Sequence, residues 1–410
     1  MYSVKEAESI ILTQIQPQQQ TEKVSLEAAF GRILAEDISS DLDFPYWDNS
    51  AMDGYAVRYE DVKDTNPENP VTLKIIAEIP AGKAPETIIQ PGETARIFTG
   101  AMLPTGSDTI IMQENTDKKG ERVAILIPPE KIGLFVRQRG TFYQAGNTLL
   151  KAGIALNSPE IAVLATAQAT ELTVFSRPKV AIFSTGDELI NPDETLQKGQ
   201  IIDSNRYALT AFVASLGAIP RPLGIIKDNP ELLRETIRKA INSSAIVLST
   251  GGVSVGDYDY IEGILGELGA EILIRSVAIQ PGKPLTFATF PNGCIYFGIP
   301  GNPVSALVSC WRFVQMAIKK LSGLTDYQNK FLRVITRDTL KSKGQREVYL
   351  WGKIEIIEGV YQFKLASGQH NSSNSINLAG TNALAIIPQG KTTIQAGETV
   401  EVMIVSEKNT

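Results

Sequence analysis

Hydrophobic and polar positions recur with two different periods along the chain, and these periods predict where helices and strands lie. Near the N-terminus the sequence SVKE is typical of a helix capping box, and apolar residues follow at helical spacing: Val4, Ala7, Ile11 and Ile15. Between about residues 71 and 126 the alternation predicts strands in VTLKIIAEI, TARIFTG, TIIMQE and RVAILI, with a turn at DKKGER. We therefore expect an N-terminal helix and a small β-rich unit.

From about residue 179, predicted strands alternate with predicted helices. The strands are KVAIF, RPLGII, AIVLS, EILIRSVAI and CIYFGI, and the helices between them begin at features such as Asn229-Pro230 and Asn302-Pro303. This alternation predicts a doubly wound, mostly parallel sheet with helices on both faces. After about residue 324 strand patterns return in FLRVITRD, REVYLWGKIEI, VYQFKLA, ALAIIP and TVEVMIV, which predicts a C-terminal β-barrel or sandwich.

Length and charge restrict the class of protein. A chain of 410 residues exceeds the length, about 250–300 residues, over which a single core keeps growing, so we expect several domains. The formal net charge of -6 argues against nonspecific binding of nucleic acid or anionic membrane. Neither a signal peptide nor an apolar run of about 20 residues is present. We expect a cytoplasmic protein with no nucleic-acid or membrane partner.

Cysteine and histidine are too scarce to build a Cys-rich zinc site or a His-rich metal site. Cys294 and Cys310 both lie in apolar surroundings, which is typical of small buried residues, and His370 is the single histidine. The chemistry must therefore rest on carboxylates, lysine, arginine, hydroxyls, backbone amides and a hard metal ion.

Three loops that follow predicted strands of the α/β region combine glycines with hydroxyl and carboxylate groups. In a doubly wound sheet, ligands bind outside the carboxyl ends of the strands, and glycine lets the backbone approach an anion. These loops predict a site for a phosphate-bearing ligand, with ordinary turn chemistry as the alternative, and neither a P-loop nor a dinucleotide fingerprint is present. The residues are Ser184, Thr185, Gly186, Asp187 and Glu188; Ser249, Thr250, Gly251, Gly252, Ser254, Gly256, Asp257 and Asp259; and Gly298, Pro300, Gly301, Asn302 and Ser305.

Acidic residues in and near these loops predict a divalent cation. Glu188, Asp259 and Asp228 would repel phosphate unless Mg²⁺ lay between them, and Mg²⁺ is commonly held by one or two carboxylates plus phosphate oxygens. For Asp187 and Asp257, turn formation and helix capping are equally good explanations.

Cationic side chains offer contacts for an anion. Lys283 follows Gly282 in the proline-bounded loop QPGKPL, while Arg137 and Arg139 lie in FVRQRG. A lysine on a rigid loop suits an oxyanion, although solvation at the surface is the alternative for all three cations. For the polar loop SGQHNSSNS, solvation is the default interpretation.

Six segments together resemble the molybdopterin molybdenumtransferase family, the enzymes of the last step of molybdenum-cofactor synthesis, to which the gephyrin E domain is similar. The segments are DNSAMDGYAVR, FTGAMLPTGSDTIIMQE, STGDEL, STGGVSVGDYD, PGKP and GIPGNPVSA. The resemblance as a whole runs over nearly the whole chain. DNSAMDGYA together with TGAMLPTGSD is the most specific part of the resemblance.

The resemblance implies a homodimer of elongated four-domain protomers. The first domain would be discontinuous (1–44 and 141–176), the second a β-rich insertion (45–140), the third the α/β molybdopterin-binding domain (177–324) and the fourth a β-barrel (325–410). The family's active site would lie between the third domain of one protomer and the second domain of the other.

The implied reaction consumes adenylylated molybdopterin and molybdate and gives molybdenum cofactor and AMP. The substrate supplies soft dithiolene sulfurs for the metal, so the protein needs no Cys or His ligands. The molybdopterin adenylyltransferase becomes a candidate partner. By motif, the resemblance assigns Mg²⁺ and the phosphoanhydride to Glu188, Asp228 and Asp259, second-domain contributions to Asp53 and Thr99, and molybdate contacts to Arg137, Lys283 and Ser372.

Two departures from the family pattern leave alternatives open. After Arg137-x-x-Gly140, Thr141-Phe142 replaces the usual Glu-Asp, and SGQHNSS lacks the usual glycine before the serine. A catalytically weakened molybdopterin-binding paralogue or scaffold is therefore one alternative, and the same reaction with tungstate is another.

Overall fold

The computed structural model describes residues 1–252 and 260–406, and the chain divides into two compact units. The first unit comprises Met1–Glu36, Gly153–Ser158 and Glu171–Thr410, and the second comprises Asp37–Ala152 and Pro159–Thr170. The four domain boundaries expected from the sequence are finer than this division, and they stay a prediction.

The second unit is built around a six-stranded sheet, which agrees with the expected β-rich insertion. In spatial order the strands are Thr109–Met112, Gly54–Val57, Glu93–Ile97, Val71–Ile79, Arg122–Ile125 and Thr116–Lys119. Neighbours are antiparallel except Val71–Ile79 and Glu93–Ile97, which are parallel. The unit also contains two strand pairs, Ile38–Ser39 with Thr148–Leu150 and Asn49–Ser50 with Val136–Arg137. Its helices are Tyr59–Val62, the short 3₁₀ helix Gln113–Asn115 and, from Pro159 onward, Ser158–Thr166.

The first unit contains the predicted α/β sheet. Its spatial order is Ile219–Ile226, Lys179–Thr185, Ile246–Thr250, Ile295–Ile299, Pro284–Thr289 and Glu271–Ser276. The first four strands are parallel, which confirms the prediction of a mostly parallel sheet. Pro284–Thr289 is antiparallel to both of its neighbours, Ile295–Ile299 and Glu271–Ser276. It connects to Ile295–Ile299 through a short turn without a helix, and such a connection joins antiparallel strands.

Helices cover both faces of this sheet, as the alternating pattern predicted. Consecutive strand residues such as Val247 and Leu248 belong to separate apolar cores, because successive side chains point to opposite faces of a strand. One core contains residues of the helices Val4–Thr13, Asn205–Ser215, Pro303–Ser309 and Gln315–Leu321. A π-helical turn at Cys310–Val314 joins the last two of these helices. The other core contains residues of the helices Pro230–Ser243 and Ile261–Glu267.

The predicted capping signals are present at two helix starts. The Ser3 hydroxyl accepts the Glu6 N–H at 3.2 Å, and the Ser3 N–H donates to the Glu6 carboxylate at 2.7 Å. Asn229 accepts the N–H groups of Glu231 and Leu232 at 2.9 and 3.1 Å. Asn302 differs, because its side chain forms no cap and its amide instead donates to Ser372.

The C-terminal part of the first unit is a closed five-stranded barrel, which decides between the barrel and the sandwich expected from the sequence. Its strands are Phe331–Thr336, Glu347–Ile357, Val360–Leu365, Ala383–Ile387 and Thr399–Ile404. The short strand Ile279–Gln280 pairs in parallel with the start of Glu347–Ile357. This pairing brings the loop at Lys283 beside the first residues of the barrel strand.

A buried ionic network joins three elements of the first unit. Arg312, 5% exposed, donates to the Tyr349 hydroxyl at 2.9 Å and pairs with Glu8 of the N-terminal helix. The Tyr349 hydroxyl donates in turn to Glu347 at 2.6 Å. A buried charge needs such partners, because the protein interior solvates it poorly.

Replacing Arg312 by alanine is expected to lower the free energy of unfolding by about 3–5 kcal/mol, because it leaves the half-buried Glu8 carboxylate without its cation and the buried Tyr349 hydroxyl without a donor. Arg337→Ala is the matched control, since its ion pair with Glu355 has side chains 41% and 44% exposed and should contribute about 0–1 kcal/mol. Urea unfolding followed by tryptophan fluorescence measures both. Equal losses in the two variants would contradict this prediction.

Both cysteines are buried, as expected. Burial raises the pKa of Cys294 to about 12 and also raises that of Cys310, so both thiols are inert at neutral pH. Within residues 1–252 and 260–406, no helix has the length and apolar character required to cross a membrane.

Candidate functional site

The three glycine-rich loops meet at one edge of the α/β sheet. Parallel register aligns Ser184 with Thr250 and Thr250 with Ile299, so the following loops leave the sheet side by side. Gly251 has φ +90°, and a Cβ there would lie 2.4 Å from the Thr185 carbonyl oxygen. The loops therefore pack backbone against backbone, and glycine is required for the close approach.

Replacing Gly251 by alanine is expected to lower the free energy of unfolding by about 1–3 kcal/mol, because both the contact and the positive φ are unfavourable for a side chain. Gly263→Ala is the control. Gly263 lies in the helix Ile261–Glu267 with open space around it, and alanine there should raise stability by about 0.5–1 kcal/mol. Thermal unfolding distinguishes the two. A Gly251 variant as stable as the unmodified protein would refute the close packing of the loops.

A cavity of about 500 Å³ lies at these loops, and we call it the acidic cavity. Its charged lining residues, among those the structure describes, are Glu188 and Asp203, with no lysine or arginine. The lining includes nine of the residues predicted from the loops: Thr185, Glu188, Thr250, Gly251, Gly252, Pro300, Gly301, Asn302 and Ser305.

Two predicted hydroxyls lie behind this cavity. Ser184 is buried and donates to Asp203 at 2.9 Å, while Ser249 is buried and accepts from the Tyr296 hydroxyl at 2.6 Å. Their geometry indicates that they hold the strand ends in place. Ser254 and Asp259, together with Gly256 and Asp257, lie outside the described residues.

Carboxylates gather beside the first loop. The Asp228 carboxylate accepts a hydrogen bond from the Thr185 hydroxyl at 2.6 Å, and the Asp228 backbone N–H donates to the Asp187 carboxylate at 3.4 Å. The Asp187 carbonyl accepts from Lys227 at 2.9 Å. A Cβ built on Gly186 would lie 2.8 Å from a carboxylate oxygen of Glu188, so this carboxylate lies directly against Gly186.

This donor set fits Mg²⁺ as a partial site. Within residues 1–252 and 260–406, no group of three or more His, Cys, Asp and Glu residues is placed to hold a metal. Mg²⁺, however, commonly takes only one or two protein carboxylates and completes its shell with phosphate oxygens and water. Glu188 and Asp228 offer such hard oxygen ligands beside loops suited to phosphate.

A second cavity, of about 540 Å³, lies beside the loop at Lys283, and we call it the basic cavity. Lys283, Arg346 and His370 line it together with Gly282 and Ser372, and no carboxylate does so among the described residues. Both cavities include Pro284 and Ser305 in their linings, so they adjoin each other. Two cations without a neutralising acid favour an anion.

Arg346 was not predicted from the sequence. It precedes an ordinary strand pattern, REVYLWGKIEI, and no local motif distinguishes it from a solvated surface residue. The pairing of Gln280 with Val348 brings it to the cavity, and its guanidinium donates to the Ile279 carbonyl at 3.2 Å. Only the pairing between distant segments could have revealed it.

The polar loop at residues 367–375 closes the basic cavity. His370 Nε2 lies 2.7 Å from the Ala366 carbonyl, and its ring packs against Trp351 at 4.4 Å. His370 Nδ1 is buried, and no described residue bonds to it. Ser372 accepts from the Asn302 amide at 3.3 Å and, through its carbonyl, from the Val304 N–H at 3.0 Å. An unsatisfied buried nitrogen in a cavity is consistent with a ligand as its partner.

Three further predicted residues belong to the second unit. Asp53 accepts the Thr99 N–H at 2.7 Å and the Thr99 hydroxyl at 2.8 Å. These bonds, with the positive charge of Arg96 nearby, hold the pKa of Asp53 below its usual value. Arg137 is exposed on its short strand, and Phe142 is 73% exposed.

Thr99→Val should raise the pKa of Asp53 towards its ordinary value, because valine keeps the shape but removes the hydroxyl donor. The Thr99 N–H remains, so the return should be partial. Titration of the Asp53 carboxyl by NMR measures the change. Asp43, whose pKa is lowered by the Ala145 N–H and Arg139, should be unaffected and serves as the internal control. An unchanged Asp53 would show that the hydroxyl bond contributes nothing.

Comparison with known proteins identifies the family. Residues 2–167 match the MoeA N-terminal region (domain I and II), residues 181–320 a probable molybdopterin binding domain, and residues 333–405 the MoeA C-terminal region (domain IV). The chain is 55% identical to the molybdopterin molybdenumtransferase of Nostoc sp., over 98% of this chain and 94% of that protein, and 33% identical to that of Haemophilus influenzae, over 98% of each. The crystal structure of a molybdopterin biosynthesis MoeA protein from Pyrococcus horikoshii matches with a TM-score of 0.82 and 31% identity, over 99% of each chain. The chain therefore belongs to the molybdopterin molybdenumtransferase family.

Proposed function

We propose that this protein transfers molybdenum from molybdate to adenylylated molybdopterin, releasing AMP and giving molybdenum cofactor. The observation that carries the proposal is the adjacency of two cavities with opposite charge. One offers carboxylates and glycine loops, which suit a phosphoanhydride with its metal ion, and the other offers cations, which suit an oxyanion.

The acidic cavity is proposed to hold the phosphates of the substrate together with one of its heterocycles. The backbone of Gly251, Gly252 and Gly301 can approach phosphate closely, since no side chain intervenes. Glu188 and Asp228, with Asp259, are the proposed ligands of Mg²⁺, and Thr185 orients the Asp228 carboxylate by its hydrogen bond. Bound Mg²⁺ would neutralise the phosphate oxygens and so favour departure of AMP.

The basic cavity is proposed to hold molybdate. Lys283 and Arg346 neutralise its two charges, and the Ser372 hydroxyl is a further donor. Molybdate would then lie beside the substrate in the adjoining cavity, whose dithiolene sulfurs are the ligands that bind the metal. Positioning of the two reactants, rather than a covalent intermediate, is the main contribution of these residues.

Residues of the second unit and a second copy of the chain also belong to the proposed function. Asp53, Thr99 and Arg137 are proposed to act on the substrate, and their ionised and hydrogen-bonding groups suit contact with phosphate, its metal or the oxyanion. We also propose a cytoplasmic homodimer that receives its substrate from the molybdopterin adenylyltransferase. Sedimentation measures the oligomeric state directly.

The exposed Phe142 occupies the position where the family usually has an acid. A side chain at the surface can change without disturbing a core, so Thr141-Phe142 is compatible with a stable fold. The identity of 55% to a molybdenumtransferase over nearly the whole chain favours the transferase function, and no feature of the described residues favours tungstate.

The experiment mixes purified protein with adenylylated molybdopterin, Mg²⁺ and molybdate and follows AMP release and cofactor formation. The expected result is AMP release that depends on molybdate. Substrate binding without molybdate-dependent AMP release would overturn the proposal. Repeating the assay with EDTA and then restoring Mg²⁺ tests the metal separately. A rate that EDTA leaves unchanged would contradict the proposed role of Mg²⁺ but not the transfer of molybdenum.

A further inference from the structure

Asn205 connects two of the glycine loops at the wall of the acidic cavity. It is the first residue of the helix Asn205–Ser215, and its side-chain Nδ2 lies 2.7 Å from both the Thr250 hydroxyl and the Gly301 carbonyl. A carbonyl oxygen can only accept a hydrogen bond, so the amide nitrogen must face Gly301. The orientation of the amide is therefore determined by its surroundings.

A buried carboxylate holds the start of this helix in place. Asp203 is 2% exposed and accepts the Ser184 hydroxyl at 2.9 Å, the Arg206 N–H at 3.1 Å and the Arg206 guanidinium at 3.0 Å. Arg206 also donates to Asn191 at 2.6 Å. These bonds attach the residues around Asn205 to the sheet, so its side chain has little freedom to turn away.

The side-chain oxygen of Asn205, Oδ1, differs from the nitrogen in its hydrogen bonding. Both Nδ2 hydrogens are committed to the loops, whereas no donor within residues 1–252 and 260–406 bonds Asn205 Oδ1. The same cavity has an apolar wall that includes Ile201 and Ile202, which are 59% and 41% exposed. A pre-oriented acceptor beside an exposed apolar wall suits the edge and the face of a flat nitrogen heterocycle.

We propose that Asn205 is a specificity-determining residue whose Oδ1 accepts a hydrogen bond from an N–H group of the substrate's nitrogen heterocycle, while the ring lies against Ile201 and Ile202. This inference rests on the proposed function, because adenylylated molybdopterin carries two such rings, the pterin and the adenine. Both offer N–H donors next to phosphate, and the experiment distinguishes them.

The test measures binding of three separate probes, molybdopterin, AMP and inorganic pyrophosphate, to the full chain in the presence of Mg²⁺. Asn205→Ala should weaken binding of one of the two heterocyclic probes by about tenfold, the effect of one lost hydrogen bond with its desolvation. Loss for molybdopterin alone assigns the pterin, and loss for AMP alone assigns the adenine. Pyrophosphate has no N–H group, so its affinity should change little.

Control variants separate recognition from loop support. Asn292→Ala removes a comparable link in the same unit, because Asn292 donates to the Ile241 carbonyl at 2.9 Å and accepts the Cys294 N–H at 3.0 Å, yet it does not line either cavity. Its affinities should match those of the unmodified protein. Asn205→Ser keeps a smaller group able to donate and accept, so its affinity for the heterocyclic probe should lie between those of the unmodified protein and Asn205→Ala. It also replaces the alanine variant if that variant does not fold.

A second arm changes the ligand and compares it in the unmodified protein and in Asn205→Ala. If adenine is the donor, purine riboside monophosphate, which lacks the exocyclic amino group, should bind about tenfold more weakly than AMP, and Asn205→Ala should not distinguish them. Unchanged affinity of Asn205→Ala for both heterocycles would overturn the proposal. Equal loss for pyrophosphate would also overturn it, since Asn205 would then act only through the loops. Because these are binding measurements, they decide the inference even if molybdate-dependent AMP release is absent and the proposed function fails.

Discussion

Asp228→Asn should lower molybdate-dependent AMP release by about 100-fold or more, since a metal ligand contributes several kcal/mol of charge stabilisation. Asparagine has the same shape and can still accept the Thr185 hydroxyl, which lies 2.6 Å from the carboxylate. The substitution therefore removes charge and leaves the packing intact. The measurement is the AMP rate as a function of Mg²⁺ concentration, and the variant should need more Mg²⁺ to reach half of its maximal rate.

The control for this variant is Asp61→Asn in the second unit, whose side chain accepts the Gly92 N–H at 2.9 Å and should keep full activity. A comparable decrease in both variants would indicate a general loss of folding. An Asp228 variant with the original rate and Mg²⁺ requirement would exclude Asp228 from the metal site.

Arg346→Ala and Lys283→Ala should each raise the KM for molybdate by about 10- to 100-fold and leave the AMP rate at saturating molybdate much less affected. A hydrogen bond to a charged group contributes about 1.5–3 kcal/mol, which corresponds to that range. The basic cavity has no carboxylate in its described lining, so each substitution removes a large part of its positive charge. Initial rates at a series of molybdate concentrations give both parameters.

Arg333→Ala is the matched control, because Arg333 is exposed on the barrel strand Phe331–Thr336 and does not line the cavity. Its KM for molybdate should be unchanged. If Arg346→Ala also leaves this KM unchanged, molybdate does not bind in the basic cavity. If the maximal rate falls and the KM does not, the arginine acts on the reaction after molybdate has bound.

Much of the fold follows from local patterns. The Ser3–Glu6 capping box begins the first helix, and the alternation of strands and helices after residue 179 gives the parallel part of the sheet. The strand Glu271–Ser276 was predicted from EILIRSVAI, whereas the strand Pro284–Thr289 and its antiparallel pairings were not. Strand direction depends on the path of the connection and not on side-chain periodicity. Closure of the C-terminal barrel likewise depends on pairing between strands that are distant in sequence.

The two cavities differ in how far they could be predicted. The loops of the acidic cavity combine glycine, hydroxyl and carboxylate groups in short segments, so their chemistry is visible in sequence. The basic cavity has no such segment, since Lys283, Arg346 and Ser372 come from separate parts of the chain. The role of Asn205 was not predicted either, because an asparagine at a helix start is common for local reasons.

The sequence by itself predicted a phosphate-bearing ligand at the loops of the acidic cavity, because glycine, hydroxyl and carboxylate groups carry their chemistry within a few residues. It also excluded a Cys-rich or a His-rich metal site, since it contains one histidine and two cysteines. Only the tertiary structure decided that Arg346 joins Lys283 and that the Asn205 amide has one possible orientation. The physical reason is that both depend on contacts between distant segments, the pairing of Gln280 with Val348 and the hydrogen bond from Asn205 to Gly301, which no local period encodes.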